Sequence, residues 1–277
     1  MRIAAPGKLN LALAVVGKRD DGYHEVRSVF VTLDLMDSVR VAPHKRLEVR
    51  NSLPIDGEDL AERAVKTLAR AAGRDPHAFV SIHKRIPVAA GLGGGSSDAA
   101  ATMRGLATLW GVDADLIRIG ALVGSDVPFF ASGAKAAFVS GRGEQVRPLP
   151  APREPMHVVV LRPPLRLPTA EVFSAFAMND RGAASRTDSL VAAFDERRVT
   201  PDVVRTFAAN DLLAAAERRC EAITTWRVAA AERGIPLFLT GSGPTLFAVA
   251  DDRADALRIA RILKRAGMRA HVHQICT

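Results

Sequence analysis

Four glycines stand within five positions, at Gly91, Gly93, Gly94 and Gly95, followed at once by Ser96, Ser97 and Asp98 and then by an alanine-rich run to about Trp110. Backbone N–H groups that converge on one point bind anions. Glycine reaches the torsions this needs and removes the side chains that would keep an anion out. A helix opening directly after the glycines adds the partial positive charge of its N-terminus, with Ser96 and Ser97 as hydroxyl caps. The stretch therefore reads as a phosphate cradle, the plainer alternative being a flexible loop ahead of an ordinary helix. It is not the lysine-containing P-loop, since no Gly-Lys-Ser/Thr follows the glycines.

Three further places carry candidate chemistry. Asp126, in Gly124-Ser125-Asp126-Val127-Pro128-Phe129-Phe130, is a carboxylate among apolar residues. It reads either as a helix cap or, with a cation beside it, as a proton acceptor. Lys8 and Asn10 lie two apart on a strand-like run and so share a face; a lysine near the start of a sheet is usually a solvated charge. Tyr23, the single tyrosine, stands beside His24 after the turn residues Asp20-Asp21-Gly22. That pair suits stacking on a base plus a hydrogen bond to its edge, although a Tyr at the edge of a core is the commoner arrangement. Thr240-Gly241-Ser242-Gly243-Pro244-Thr245, between two apolar runs, is a tight turn or a second backbone approach to a ligand.

The elements that must position these groups follow from periodicity. Alternation and β-branching predict strands at Leu9–Val16, Val26–Leu33, Val39–Ala42, Leu47–Arg50 and Ala78–Ile86. Apolar residues at Leu60, Ala64, Val65, Leu68 and Ala72 predict a helix stopped by Gly73. Pro148, Pro150, Pro152 and Pro155 break regular structure and place a boundary near residue 150, dividing the chain into 1–150 and 151–277. The second part reads as a strand at Met156–Leu161, helices at about 169–178, 189–195 and 212–232, and then strand, strand, helix, strand from Pro236 onward.

Composition sets the outer limits. The chain has 277 residues, 48% hydrophobic, enough to bury a large core. A net charge of +8 favours anionic partners. Two cysteines, Cys220 and Cys276, are too few for a disulfide framework. No apolar run approaches the roughly 18 residues of a membrane-spanning helix. Lys8 and Asn10 interrupt the apolar core that a secretory signal would need. The expectation is a soluble, cytoplasmic protein. Arg258, Arg261, Lys264, Arg265 and Arg269 form a basic stretch that leaves a nucleic-acid reading open, although 5% aromatic content offers few stacking platforms. His271 and His273 alternate near Cys276, a loose hint of metal binding set against an ordinary surface strand.

Taken in order, Pro6-Gly7-Lys8-Leu9-Asn10-Leu11, then Gly91-Leu92-Gly93-Gly94-Gly95-Ser96-Ser97-Asp98, then Leu239-Thr240-Gly241-Ser242-Gly243-Pro244 resemble three motifs of one kinase superfamily. That superfamily is named after galactokinase, homoserine kinase, mevalonate kinase and phosphomevalonate kinase. Arg19-Asp20-Asp21-Gly22-Tyr23-His24-Glu25, Ser28-Val29-Phe30 and Gly124 to Phe130 are similar to the branch that phosphorylates 4-diphosphocytidyl-2-C-methyl-D-erythritol on the methylerythritol phosphate route to isoprenoids. The resemblance implies an α+β fold of two domains, an N-terminal ATP-binding one and a C-terminal α+β one, with the site between them. It implies ATP and Mg²⁺ as cofactors, and a small-molecule partner rather than nucleic acid or a membrane. Carried over, it makes Asp126 the catalytic base and Lys8 its electrostatic partner. Pro87, Val88, Ala89, Ala90, Gly91, Leu92, Gly93, Gly94, Gly95, Ser96 and Ser97 become the ATP phosphate loop. Tyr23, His24 and Phe30 match residues around the cytidine, with Phe173 closing over the base. Asn10 and Thr169 line the substrate channel, and Gly241 and Ser242 brace the loop or contact phosphate. Ser96, Ser97 and the phosphates are the candidate Mg²⁺ ligands. The chain departs from the branch at Gly7 and Ser125, both usually Ala, and at Asp59-Leu60, where an Asn-Leu pair usually lines the adenine pocket.

Overall fold

The structure, a computed structural model, describes residues 1–55 and 57–277. Its strands are β1 (Arg2–Lys18), β2 (His24–Ala42), β3 (Leu47–Asn51), β4 (Ala78–His83), β5 (Ala136–Gly141), β6 (Gln145–Leu149), β7 (Met156–Leu161), β8 (Ala209–Asn210), β9 (Phe238–Leu239), β10 (Leu246–Ala250) and β11 (Ala270–Ile275). Its helices are α1 (Leu60–Ala71), α2 (Gly94–Trp110), α3 (Leu116–Val123), α4 (Val127–Ala131), α5 (Thr169–Ala175), α6 (Ala184–Asp195), α7 (Pro201–Phe207), α8 (Leu213–Arg219), α9 (Glu221–Ala231) and α10 (Arg253–Arg265).

β2 organises the molecule. One edge runs antiparallel to β1, and along the other it meets β5 at Val26–Val31, β11 at Leu33 and β4 at Ser38–Ala42. The strands of the second half, β11, β7, β10 and β9, form their own antiparallel run, joined to β2 at the single pair Ile275–Leu33. β2 is continuous where alternation predicted two strands. The polar interruption is Asp37, buried and satisfied by the Lys84 ammonium and the N–H groups of Arg85 and Ile86, so it costs the strand nothing. The proline cluster begins in β6, which pairs only with β5, an edge position that tolerates proline.

The first half packs α1, α2, α3 and α4 on its sheet through Val65, Leu68, Met103, Leu106, Phe129 and others. The second half buries α8, α9 and α10 on its own strands. Among smaller corrections, the strand expected to reach Ile86 ends at His83, and the helix expected to reach 178 ends at Ala175. The helix expected from 189 begins at Ala184, and α7 lies outside the predicted elements although Thr200 as its cap and Pro201 in its first turn are a start signal. The helix predicted over 212–232 breaks at Cys220, which adopts extended torsions. The bend lets Ala215 and Ala216 of α8 and Ile223 and Ala230 of α9 bury in one core. No described helix is long and apolar enough to cross a membrane.

Candidate active site

β1 places Lys8 and Asn10 on one face, between register shifts at Pro6/Lys8 and Asn10/Ala12. Both side chains are buried. The Lys8 ammonium donates to Asn10 Oδ1 at 2.5 Å, lies 3.7 Å from Asp126 Oδ2 and sits 4.8 Å above the Phe30 ring. Burial pulls this ammonium below its ordinary value, with the Asp126 charge pulling it back up. Asn10 donates to Ser28 Oγ, and Ser28 in turn donates to the Ala12 carbonyl. Each buried polar group is thereby satisfied and the lysine has one place to point. Asp126 opens α4 with no side-chain capping bond, its carboxylate 29% exposed, so it is free to meet a ligand.

The glycine loop closes above this pair. The Lys8 N–H donates to the Leu92 carbonyl. Gly91 and Gly93 have φ of +74° and +69°. A Cβ on Gly91 would stand 3.0 Å from the carbonyl oxygens of Gly243 and Thr240, and one on Gly93 would stand 3.0 Å from Lys8 Cγ and the Phe130 ring. Glycine is required there for torsion and for close approach together. α2 starts at Gly94, one turn earlier than Ser96 and Ser97 could cap it. The cap is Gly93, without a side-chain bond. The N–H groups of Gly94, Gly95 and Ser96 are therefore left without intrahelical partners at the positive end of a 17-residue helix. Ser96 lines the cleft. Ser97 does not: it is fully buried and its N–H is bonded to the Gly93 carbonyl, which removes it from the expected cradle.

The third motif braces the loop from the other half of the chain. Thr240 Oγ1 accepts from the Asn10 N–H at 2.8 Å, and Ser242 and Thr169 share a hydroxyl bond at 2.9 Å. A Cβ on Gly241 would stand 3.1 Å from the Gly91 carbonyl. Asn210, which had no motif to betray it, donates to the carbonyls of Leu239 and Gly241 and so fixes the turn.

Beneath the N-terminus of α2 lies an ion triad not anticipated from sequence. The Lys84 ammonium is 2.5 Å from Asp37 Oδ2 and 2.6 Å from Asp98 Oδ2, all three groups buried. Burial pushes the Asp98 carboxyl up to about 7, against the pull of Lys84 and with the Asp37 charge adding to the rise. Burial opposes the Lys84 charge, but the two carboxylates outweigh it and leave its value raised.

These parts line one cleft of about 1260 Å³, walled by both halves of the chain. At one end His24 stacks on Phe173, ring centroids 5.0 Å apart at 30°, with Phe176 edge-on at 5.9 Å. Phe173 thus meets His24. Tyr23 is 52% exposed at the rim, with the Arg142 guanidinium 5.4 Å above its ring. Phe30, expected near the cytidine, lies deeper, beneath Lys8 and edge-on to Phe129. Burial, then the charges of Lys18 and Arg181, push the His24 imidazole below its ordinary value, so it is neutral at pH 7. Asn51, Ile55, Asp59, Leu60, Pro87 and Val88 line another part of the cleft. Away from the cleft, His273 pairs with Asp34 at 3.0 Å. The basic residues of α10 lie opposite its buried Ala256, Ile259, Ala260 and Leu263.

A backbone cradle at a helix N-terminus beside a lysine–carboxylate pair is the equipment of phosphoryl transfer to a small molecule. Comparison with known proteins agrees. The descriptions "GHMP kinases N terminal domain" and "GHMP kinases C terminal" match residues 59–134 and 203–269, and the class is that of the galactose, homoserine, mevalonate and phosphomevalonate kinases. A homoserine kinase from Cytophaga hutchinsonii shares the fold, with TM-score 0.73 at 16% identity over 100% of this chain and 94% of its own. The 4-diphosphocytidyl-2-C-methyl-D-erythritol kinase of Ralstonia pickettii is 38% identical over 92% of this chain and 87% of its own. A crystal structure of 4-(cytidine 5'-diphospho)-2C-methyl-D-erythritol kinase superposes with TM-score 0.82 at 34% identity over the whole of both chains. The chain belongs to the family of 4-diphosphocytidyl-2-C-methyl-D-erythritol kinases.

Proposed function

We infer that this chain transfers the γ-phosphoryl group of ATP to the 2-hydroxyl of 4-diphosphocytidyl-2-C-methyl-D-erythritol, within the methylerythritol phosphate route. The observation that carries the chemistry is the Lys8–Asp126 pair, held beside the free N-terminus of α2. Phosphoryl transfer asks for positioning and charge neutralisation more than for covalent help. The N–H groups of Gly94, Gly95 and Ser96 and the helix terminus hold the phosphates. Asp126 accepts the acceptor's hydroxyl proton on its carboxylate as attack proceeds, and Lys8, fixed by Asn10, orients that carboxylate. Mg²⁺ fits the donor set. Ser96, whose hydroxyl oxygen lines the cleft, would hold the ion beside the phosphate oxygens. When bound, it neutralises phosphate charge. At the other end, the His24–Phe173 stack supports a pyrimidine site, with Tyr23 at its rim.

Further parts of the reading are the division into an ATP-binding domain, 1–150, and a second α+β domain, 151–277, a partner that is a small molecule rather than nucleic acid, and a cytoplasmic setting. Supporting these are the separate sheet runs, the pairing of Arg258 with Asp255 on α10, and two free cysteines. The test is ADP release with ATP, Mg²⁺ and the cytidylyl acceptor beside mevalonate, phosphomevalonate, homoserine and galactose. Turnover of the cytidylyl compound alone is expected, and turnover of another acceptor alone overturns the assignment. Asp126→Asn should keep ADP binding and lower kcat by about 10² or more, the scale of a positioned base. Normal turnover by that variant removes Asp126 from the role.

A further inference from the structure

Lys8 and Asp126 stand on different elements, so the 3.7 Å between their charged atoms is set by how α4 lies against β1. α4 runs for only five residues directly after Asp126, and a shift at its far end is carried to the carboxylate. A helix this short does not hold itself; its neighbours place it. It also meets the glycine loop, since a Cβ on Gly93 would stand 3.0 Å from the Phe130 ring.

One side chain reaches both elements. Arg104, within α2, donates from Nη1 to the Phe130 carbonyl of α4 at 2.5 Å. From Nη2 it donates to the Ala4 carbonyl of β1 at 3.5 Å, the weaker bond of the two. The next residue makes this reach possible: a Cβ on Gly105 would stand 2.6 Å from Ile3 Cδ1 and 2.8 Å from Val41 Cγ2, so α2 lies unusually close to β1 and β2. Among the described residues no carboxylate pairs with Arg104, and burial, with no anion to oppose it, pulls the guanidinium below its ordinary value. A partly buried cation held only by carbonyls is a poor way to stabilise a fold. A planar fork that spans two carbonyls is something arginine offers and lysine does not. Arg104 does not line the cleft, yet its helix begins at the phosphate cradle.

We propose that Arg104 is a positioning residue for phosphoryl transfer: its guanidinium holds the helix of Asp126 and the strand of Lys8 in place against the cradle helix, without touching a reactant. This rests on the roles inferred above for Lys8 and Asp126. Misplacing a reacting group by about 1 Å can lower a rate by about 10²-fold while binding contacts survive, so the signature falls on kcat rather than on KM.

Arg104→Met removes both bonds and keeps an apolar stem. It should lower kcat by about tenfold to a hundredfold. The KM for ATP, the KM for the acceptor and the calorimetric affinity for ADP should each stay within about twofold of the parent values. Arg104→Lys keeps the charge but cannot span two carbonyls, and its kcat should fall between the two; it carries the test alone if the methionine variant does not fold. Placed in Asp126→Asn, Arg104→Met should lower kcat by less than about threefold more, because a base already removed cannot be misplaced. An unchanged kcat in the Arg104 variants overturns the proposal. So does a full, multiplied loss in the double variant, or a raised KM with kcat intact. If Asp126→Asn turns over normally, the role of Asp126 fails on its own account, and a crystal structure of Arg104→Met decides the rest. A Lys8 Nζ to Asp126 Oδ2 separation still at 3.7 Å overturns the proposal, and a wider one sustains it.

Discussion

Replacing Lys84 by methionine removes the one cation between two buried carboxylates while keeping the length of the stem. Asp37 and Asp98 are 1% and 3% exposed, so neither can recover solvation from water. Removing one partner of a buried ion pair costs about 3–5 kcal/mol, a large share of the ~5–15 kcal/mol that holds a domain together. Titration adds a pH signature. The Asp98 carboxyl is raised from 3.8 to about 7 even with Lys84 beside it. A raised acid contributes stability that is complete below its unfolded value and is lost as pH climbs through the folded one. For a rise of this size the loss amounts to about 4 kcal/mol by roughly pH 8 in the parent protein. Without Lys84 the folded value rises further, so the variant goes on losing stability above roughly pH 8, where the parent has stopped. The deficit of Lys84→Met should therefore be smallest near pH 5, where a protonated Asp98 can donate to Asp37, and should grow toward pH 9. Urea unfolding at pH 5, 7 and 9, followed by circular dichroism, measures it. A deficit under about 1 kcal/mol at pH 9, or one that grows toward acid, refutes the reasoning.

Other substitutions probe the cradle and the acceptor end. Gly91→Ala meets both a φ of +74° and two carbonyl oxygens at 3.0 Å, and should raise the KM for ATP at least tenfold. Gly111→Ala, also at positive φ but with open space around it, should cost about 1 kcal/mol of stability and leave that KM alone; equal effects of the two changes would remove the close-approach argument. Because the His24 imidazole is depressed, the KM for the acceptor should stay level from pH 9 to 7. It should rise below 6.5, as a third positive charge appears near Lys18 and Arg181. His24→Gln should abolish that acid rise, and its persistence would assign the effect to another group. Phe173→Ala should raise the acceptor KM about tenfold, the scale of one stacking contact, with the KM for ATP unchanged.

Much of the site was legible because its parts are local. Glycines ahead of a helix announce an anion cradle wherever the chain goes next. Residues two apart on a strand share a face, so Lys8 and Asn10 could be paired before any fold was known. The order of three short motifs supplied the superfamily resemblance, and the segments Arg19 to Glu25, Ser28 to Phe30 and Gly124 to Phe130 supplied the branch, with Asp126 and the aromatic residues as its expectations. Local signals failed where a short-range rule met a longer-range demand. Ser96 and Ser97 have the chemistry of caps, yet the helix begins at Gly94, where the backbone can approach both Lys8 and the third motif. The strands expected at Val26–Leu33 and Val39–Ala42 are one strand, because the charge at Asp37 between them is satisfied inside the fold by Lys84 and two backbone N–H groups.

What only the tertiary structure decided is which distant groups share a desolvated space. Lys84 meets Asp37 across 47 residues and Asp98 across 14, and Asn10 meets Thr240 across 230. The orientation of Asn51 depends on a carboxylate eight residues away that also caps a helix. Spacing along the chain encodes the period of a helix or strand. It does not encode how far a charge is removed from water or which partner then satisfies it. The sequence by itself determined the class of chemistry and the motifs expected to carry it, and burial in the assembled fold determined which side chains reach the cleft, their direction and the contacts that hold them.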